Sequence, residues 1–176
     1  MTDIIHPPRE FDQEAAYLRA ETAIGQTIAA LPEFPGFATR NWRTAPCSHG
    51  NEAEDTGFVQ VEVLYTFSPV WSAEPLVRQT YLSSLRQNWM PPEWELHRDE
   101  AGVNGIHSLE AIRKDGVNLY YRVAKLVTLH GQTGCVERAD VPSLVAPLGG
   151  VETENDYAPD HLRRLARRAE AVSSKR

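Results

Sequence analysis

The residues of this chain that could do chemistry are few and scattered. Six histidines invite a metal site. His97 and His107 are close in sequence, on what read as neighbouring strands. The alternation that buries Trp94 and Leu96 sends His97 outward and His107 inward, however. Ligands on opposite faces cannot share a metal whose nitrogen donors sit about 2.0–2.1 Å away. His49 falls in a polar loop and His130 faces outward. His107 with Arg98 and Glu110 can be written as an acid–base set, but near a strand end the same types equally describe a sheet-edge polar pair. No serine or cysteine stands in a Gly-x-Ser-x-Gly context, and no glycine-rich phosphate loop is present. The reading assigns no catalytic residue, no cofactor and no metal ligand. The two cysteines, Cys47 and Cys135, fit neither a zinc site nor a Cys-x-x-Cys motif. In a cytosolic chain they would be two buried, unpaired thiols.

The aromatics Trp42, Trp71, Trp89 and Trp94, with Tyr81, Tyr120 and Tyr121, read mainly as core. Two stand out. Trp71 lies between a strand end and a helix cap, and Tyr120 faces outward beside Arg122. Trp71, Tyr120 and Arg122 are the candidate interaction surface.

These residues must be held by a sheet whose centre is the stretch Ile106 to Cys135. His107, Leu109, Ala111 and Arg113 share one face of a first run, and Val117, Leu119, Tyr121 and Val123 share one face of a second. Lys114-Asp115-Gly116 between them makes a three-residue loop, with Gly116 in the left-handed position. That loop sets Ala111 against Leu119 and Leu109 against Tyr121, whereas a two-residue turn would put Leu109 against Arg122. Beyond Val123, apolar residues keep odd positions through Val127 and Leu129 to Cys135. Either one long strand bends near Lys125, or a turn over Ala124 to Leu126 preserves the parity. The absence of glycine, asparagine and proline there favours the long strand.

Upstream, residues 10–31 read as a helix on Tyr17, Ala20, Ile24, Ile28 and Leu31. A short strand covers Thr39 to Thr44. Phe58 to Phe67 alternates strictly, with Val59, Val61, Val63 and Tyr65 on its dry face. Ser72 caps a second helix over 73–90, in which Val77, Tyr81, Leu85 and Trp89 recur every fourth position. Glu93 to Arg98 returns as a strand, in a register opposing Leu96 to Leu109 and Trp94 to Ala111. The expected fold is α+β: a twisted antiparallel sheet with two helices on one face. Residues 1–9 are read as disordered, 10–140 as a single domain, 141–159 as a Pro/Gly linker and 160–176 as a basic tail opening a short helix. The linker and a thin apolar stripe make that tail dispensable for folding.

The hydrophobic share of 41% is that of a soluble globular chain. The net charge is −6; residues 160–176 carry six basic against two acidic side chains, +4, which leaves −10 on the remainder. Such a body is a poor nucleic-acid binder, while the tail is suited to weak anionic contacts. No run approaches the roughly 18 apolar residues of a membrane span. The start, Met-Thr-Asp-Ile-Ile-His-Pro-Pro, has neither the basic nor the apolar region of a signal peptide. Either the chain stays in the cytoplasm or an export signal has been replaced.

Taken together, Arg43-Thr44-Ala45-Pro46-Cys47 after the first strand, the valine-rich strand and following helix, Asp115-Gly116 in the hairpin, and Thr133-Gly134-Cys135-Val136 at its end resemble the small exported proteins and lipoproteins of actinobacteria, a group mostly without assigned function. The resemblance covers about residues 10–138. This chain departs from it in lacking the signal peptide with its lipidated cysteine and in adding the linker and tail. The resemblance implies that Cys47 and Cys135 pair as a disulfide, and hence a protein outside the cytoplasm or at the cell envelope. It implies no catalytic residues. With free cysteines the chain returns to the cytoplasm.

Two functions fit. One is a non-catalytic binding or interaction domain for an unknown protein or small ligand; the other is a small enzyme with an unrecognised site between sheet and helices. A concave apolar pocket with convergent polar groups would favour the enzyme.

Overall fold

The computed structural model describes residues 11–47, 57–90, 94–139 and 143–175. The expectations of a disordered residue 1–9 segment and most of the polar loop around His49 fall outside them.

Helix α1 spans Gln13–Ala29 and is capped by Asp12, whose side chain accepts from the Ala15 amide at 3.1 Å. Its buried face, Ala16, Tyr17, Ala20, Ala23, Ile24 and Thr27, steps by three and four. Six strands follow: β1 (Thr39–Pro46), β2 (Phe58–Thr66), β3 (Trp94–Ala101), β4 (His107–Arg113), β5 (Val117–Val123) and β6 (Val127–Glu137). They form one antiparallel sheet in the order β1-β2-β6-β5-β4-β3. The inward residues Val61, Val63, Tyr65, Ala111, Leu119, Tyr121 and Leu129 are all fully buried. Above them lie α1 and a second helical stretch, made of α2 (Pro69–Ala73), a π-turn over Leu76–Thr80, and α3 (Tyr81–Asn88). Both stretches share this one face: the Tyr121 hydroxyl donates to the Val77 carbonyl, and α1 sits over Gly131 of β6. A β-carbon at Gly131 would lie 3.2 Å from the Ala20 carbonyl oxygen and 3.3 Å from Ile24 Cδ1, so glycine permits the close approach. The architecture is the expected α+β one.

The β4–β5 hairpin has the expected register, Leu109 with Tyr121 and Ala111 with Leu119, and Gly116 has φ 87°. Several finer expectations are corrected. The long strand past Val123 is two strands: Val123 pairs with Val127 across a turn at Ala124–Leu126. The β3–β4 register differs too, with Trp94 opposite Arg113 and Leu96 opposite Ala111, because β3 runs on to Ala101 before it turns; a bulge between Leu96 and Arg98 steps the pairing by one residue. The guanidinium of Arg113 stacks on Trp94, 4.8 Å from its centroid. The second helix starts earlier than expected: Ser68, not Ser72, is the cap, and buried Ser72 donates to the Phe67 carbonyl and accepts from the Val127 amide.

Cys47 and Cys135 form a disulfide, with Cα atoms 6.1 Å apart. A second bulge, opposite Gln60–Glu62 in β6, changes the parity of Cys135. It pairs with Gln60, while Val136 takes the buried position beside Val59.

The segment read as a linker is not a free spacer. Phe37 donates its amide to the Gly149 carbonyl at 2.8 Å, the Leu148 amide donates to the Tyr65 hydroxyl at 2.9 Å, and Val151 and Ala158 are buried. Its anchor is Arg40 on β1, which is 0% exposed. Arg40 makes a two-pronged pair with Asp156 at 2.8 and 2.7 Å, and its third nitrogen donates to Glu21 at 2.9 Å and to the Val145 carbonyl. Glu21 also accepts from Trp42 and Tyr65, so this buried charge cluster is well bonded. The Tyr157 amide closes on the Arg40 carbonyl at 2.9 Å. Helix α4 then runs over Ala158–Ser173. Buried His161 reaches Tyr17 and Thr44 at 3.1 and 2.8 Å, placing α4 against β1. Proline and glycine shape this segment, but a buried arginine holds it.

Candidate functional site

With the helices on one face, the other face of the sheet is left without a helical cover. Its side chains are the alternate residues of each strand, and the registers align them into rows. One row runs Arg98, Glu110, Tyr120, His130 and Leu64, from β3 across β4, β5 and β6 to β2. A second carries Ser108, Arg122 and Thr128, and a third Asn118, Gln132, Glu62 and Arg43. A concavity of about 440 Å³ opens here, lined by Glu62, Arg98, Glu110, Tyr120, Arg122 and His130 among others.

The groups are held by one another. His130 sits between Glu62, 2.8 Å from Nδ1, and the Thr128 hydroxyl, 2.9 Å from Nε2. This hydrogen bond holds the Glu62 carboxyl below the usual glutamate range. The Tyr120 hydroxyl donates to Gln132 at 3.0 Å, and its ring meets His130 edge-on, centroids 6.2 Å apart. Burial, then the neighbouring Glu110, push the Tyr120 phenol up to about 12. Arg98 lies 3.8 Å from the buried Glu110 carboxylate. The side-chain oxygen of Asn118 is buried with no hydrogen-bond partner, in the row next to Tyr120. Arg122 is exposed at the rim.

Both nitrogens of His130 are engaged, and Tyr120 stays protonated at neutral pH, so neither is poised as a free base. What the face offers is a half-buried aromatic ring, an arginine and alternating carboxylate and amide groups. Among the described residues, no three histidine, cysteine or carboxylate side chains converge as a metal site.

Of the residues singled out in the sequence, Tyr120 and Arg122 line the same concavity. Trp71 does not join them: it is 39% exposed on α2, in the helical layer. His107, Arg98 and Glu110 are not one set. Arg98 turns to Glu110, while His107 contacts Asp99 at 2.5 Å and Asp99 pairs with Arg86 of α3. The Arg86 guanidinium is the chief reason the Asp99 carboxyl lies at about 2. The expected placement of the His97 side chain falls outside the described side chains. Sequence reasoning missed Gln132 and His130 as neighbours of Tyr120, and Glu62 as the partner of His130; the signal was their shared outward parity, on β2 and on the β5 and β6 that read as one strand.

Among the described residues no helix is long and apolar enough to cross a membrane. No protein-family model and no curated protein matches the chain. Among solved structures, the chain is similar to a protein of the DUF4853 family from Actinomyces odontolyticus, at 8% identity and a TM-score of 0.42, over 82% of this chain and 78% of that one. A likeness of that size assigns neither fold nor function.

Proposed function

We propose that this protein is a non-catalytic binding domain that works outside the cytoplasm and takes a polar partner, a protein segment or a small ligand, on the open face of its sheet. The observation that carries the reading is the uncovered concavity around Tyr120, where a half-buried ring is flanked by Arg122, Arg98, Glu110 and the His130–Glu62 pair. The disulfide supports the compartment, since such bonds persist where the surroundings are oxidising. The alternative, a small enzyme with its site between sheet and helices, has less to support it. That layer is occupied by the fully buried Val61, Val63, Tyr65, Leu119, Tyr121 and Leu129.

Amide-shift mapping against peptide and oligosaccharide libraries tests the choice. Hits should perturb residues 108–110, 120–122 and 128–132 and be lost in Tyr120→Ala and Arg122→Ala. Hits that map to α1 and the inward strand residues, with chemical conversion of the hit, would overturn the proposal in favour of the enzyme.

A further inference from the structure

A second concavity, of about 370 Å³, lies where α4 overhangs the β1 edge. Its walls carry Arg164 and Arg168 from α4, Arg43 from β1, Glu62 from β2, and Thr44 beside His161. Arg164 and Arg168 are one helical turn apart, an arrangement of like charges that destabilises a helix unless something neutral or negative intervenes. Among the described residues nothing does so. Asp160 is taken by Arg163, and among the described residues no carboxylate pairs with Arg164 or Arg168. Among the described residues Arg43 has one carboxylate within reach, Glu62 at 3.8 Å, and that carboxylate is more closely engaged with His130 at 2.8 Å. With three arginines against the one carboxylate of Glu62, the cleft carries an excess of positive charge on a body that is otherwise strongly acidic.

His161 adds no charge to it. Its ring is buried against Tyr17 and Thr44, and burial, then Arg164 and Arg168, push it down to about 4. The same field that disfavours a proton on His161 favours an anion at the two arginines.

We propose that this cleft binds the phosphate group of a small soluble molecule, held by Arg164 and Arg168 on one wall and Arg43 on the other. Three guanidinium forks offer more N–H donors than the two oxygens of a carboxylate can accept, and a tetrahedral phosphate dianion uses them. The size of the cavity suits a phosphomonoester with a small body and does not suit a polymer. The acidic remainder of the surface repels nucleic acid.

The test uses the full chain with inorganic phosphate and glycerol 3-phosphate as probes, followed by calorimetry and phosphorus line-broadening at ionic strength matched with chloride. Saturable binding is expected, weakened roughly tenfold or more in Arg164→Gln/Arg168→Gln. Arg163→Gln/Arg167→Gln, which removes the same formal charge from the neighbouring flank of α4, should leave it nearly intact. Arg43→Gln, on a different element and exposed, must weaken binding too, so the result does not hang on helix stability. Equal losses in the two double variants would reduce the effect to diffuse charge and overturn the proposal. So would the absence of saturable binding to either probe. Sedimentation with phosphatidylglycerol vesicles, without binding of the soluble probes, would also overturn it, because it would make the arginines a membrane-surface contact.

Discussion

Replacing Asp156 by alanine should cost this protein more than any exposed substitution could. In the folded chain Arg40 is without solvent contact, and Asp156 takes two of its donors at 2.8 and 2.7 Å. Removing one side of a buried ion pair leaves an uncompensated charge and costs roughly 3–5 kcal/mol. Here Glu21 remains at 2.9 Å and keeps part of the countercharge, which places the loss at the lower end, about 3 kcal/mol. Against a domain stability of roughly 5–15 kcal/mol that is a fifth or more of the total. It corresponds to a melting temperature lower by about 6–12 °C. Asp156→Asn keeps one acceptor and should fall between the parent and the alanine variant. Glu154→Ala, exposed two residues away, should change stability by no more than about 0.5 kcal/mol. Urea unfolding at pH 7, followed by tryptophan fluorescence, reads all three. An Asp156→Ala variant within about 1 kcal/mol of the parent, at an unchanged denaturant slope, would show that Arg40 is not sealed against Asp156 in solution. The account of how the C-terminal segment docks would then be wrong.

Deleting residues 150–176 should lower the melting temperature at least as much as Asp156→Ala, because it also removes buried Val151, Ala158 and His161; an unchanged melting temperature would restore the segment to a dispensable tail. The folded pKa of His161 lies below its ordinary 6.5, so the unfolded chain takes up the proton first as pH falls, and its contribution to stability is complete above about 6.5 and lost between 6.5 and about 4. His161→Gln should flatten that part of the stability–pH curve measured by urea midpoints from pH 7 to pH 4. Gly131→Val should cost about 1–3 kcal/mol by pushing α1 off β6, since the Ala20 backbone cannot turn aside, and Gly131→Ala should cost less. Cys47→Ser/Cys135→Ser opens a loop of 88 residues and should destabilise by up to about 4–5 kcal/mol in chemical unfolding, with an unchanged midpoint refuting the bond's role.

The parts of the fold that were legible in the sequence are those where one period runs unbroken. The strict alternation of Val59, Val61, Val63 and Tyr65 and the three-residue loop at Gly116 yield strand, face and register correctly. What escaped lies where a local device breaks or conceals the period. A three-residue turn at Ala124–Leu126 preserves parity, so the pattern of odd apolar positions reads the same with or without it. A bulge in β6 changes the face of Cys135 with no residue type to announce it, and β3 runs on to Ala101, which moves its pairing with β4 by two residues at Leu96. The C-terminal segment was misread for a different reason: its proline and glycine content describes the path of the backbone, while the force holding it belongs to Arg40, more than a hundred residues earlier. An arginine in a strand looks like a surface residue until its partner is found. In the candidate site, outward Tyr120 and Arg122 are visible in the sequence, but the contacts of Tyr120 with Gln132 and His130, and of His130 with Glu62, require the β5–β6 turn.

Asp156 and Tyr157 also lie against the outer edge of β1, in a parallel bridge at Arg40. A sheet with two bare edges can add copies at both ends and grow into a filament, whereas one with a single bare edge can at most join a second copy across a two-fold axis. In this sheet the remaining edge is β3, where Glu95, Arg98, Asp99 and Glu100 discourage even that. Asp156 and Tyr157 therefore interrupt the β1 edge at Arg40 as well as anchoring the segment. With residues 156–157 removed the β1 edge stands open at Arg40, and a chain truncated before them should gather into oligomers without a fixed size.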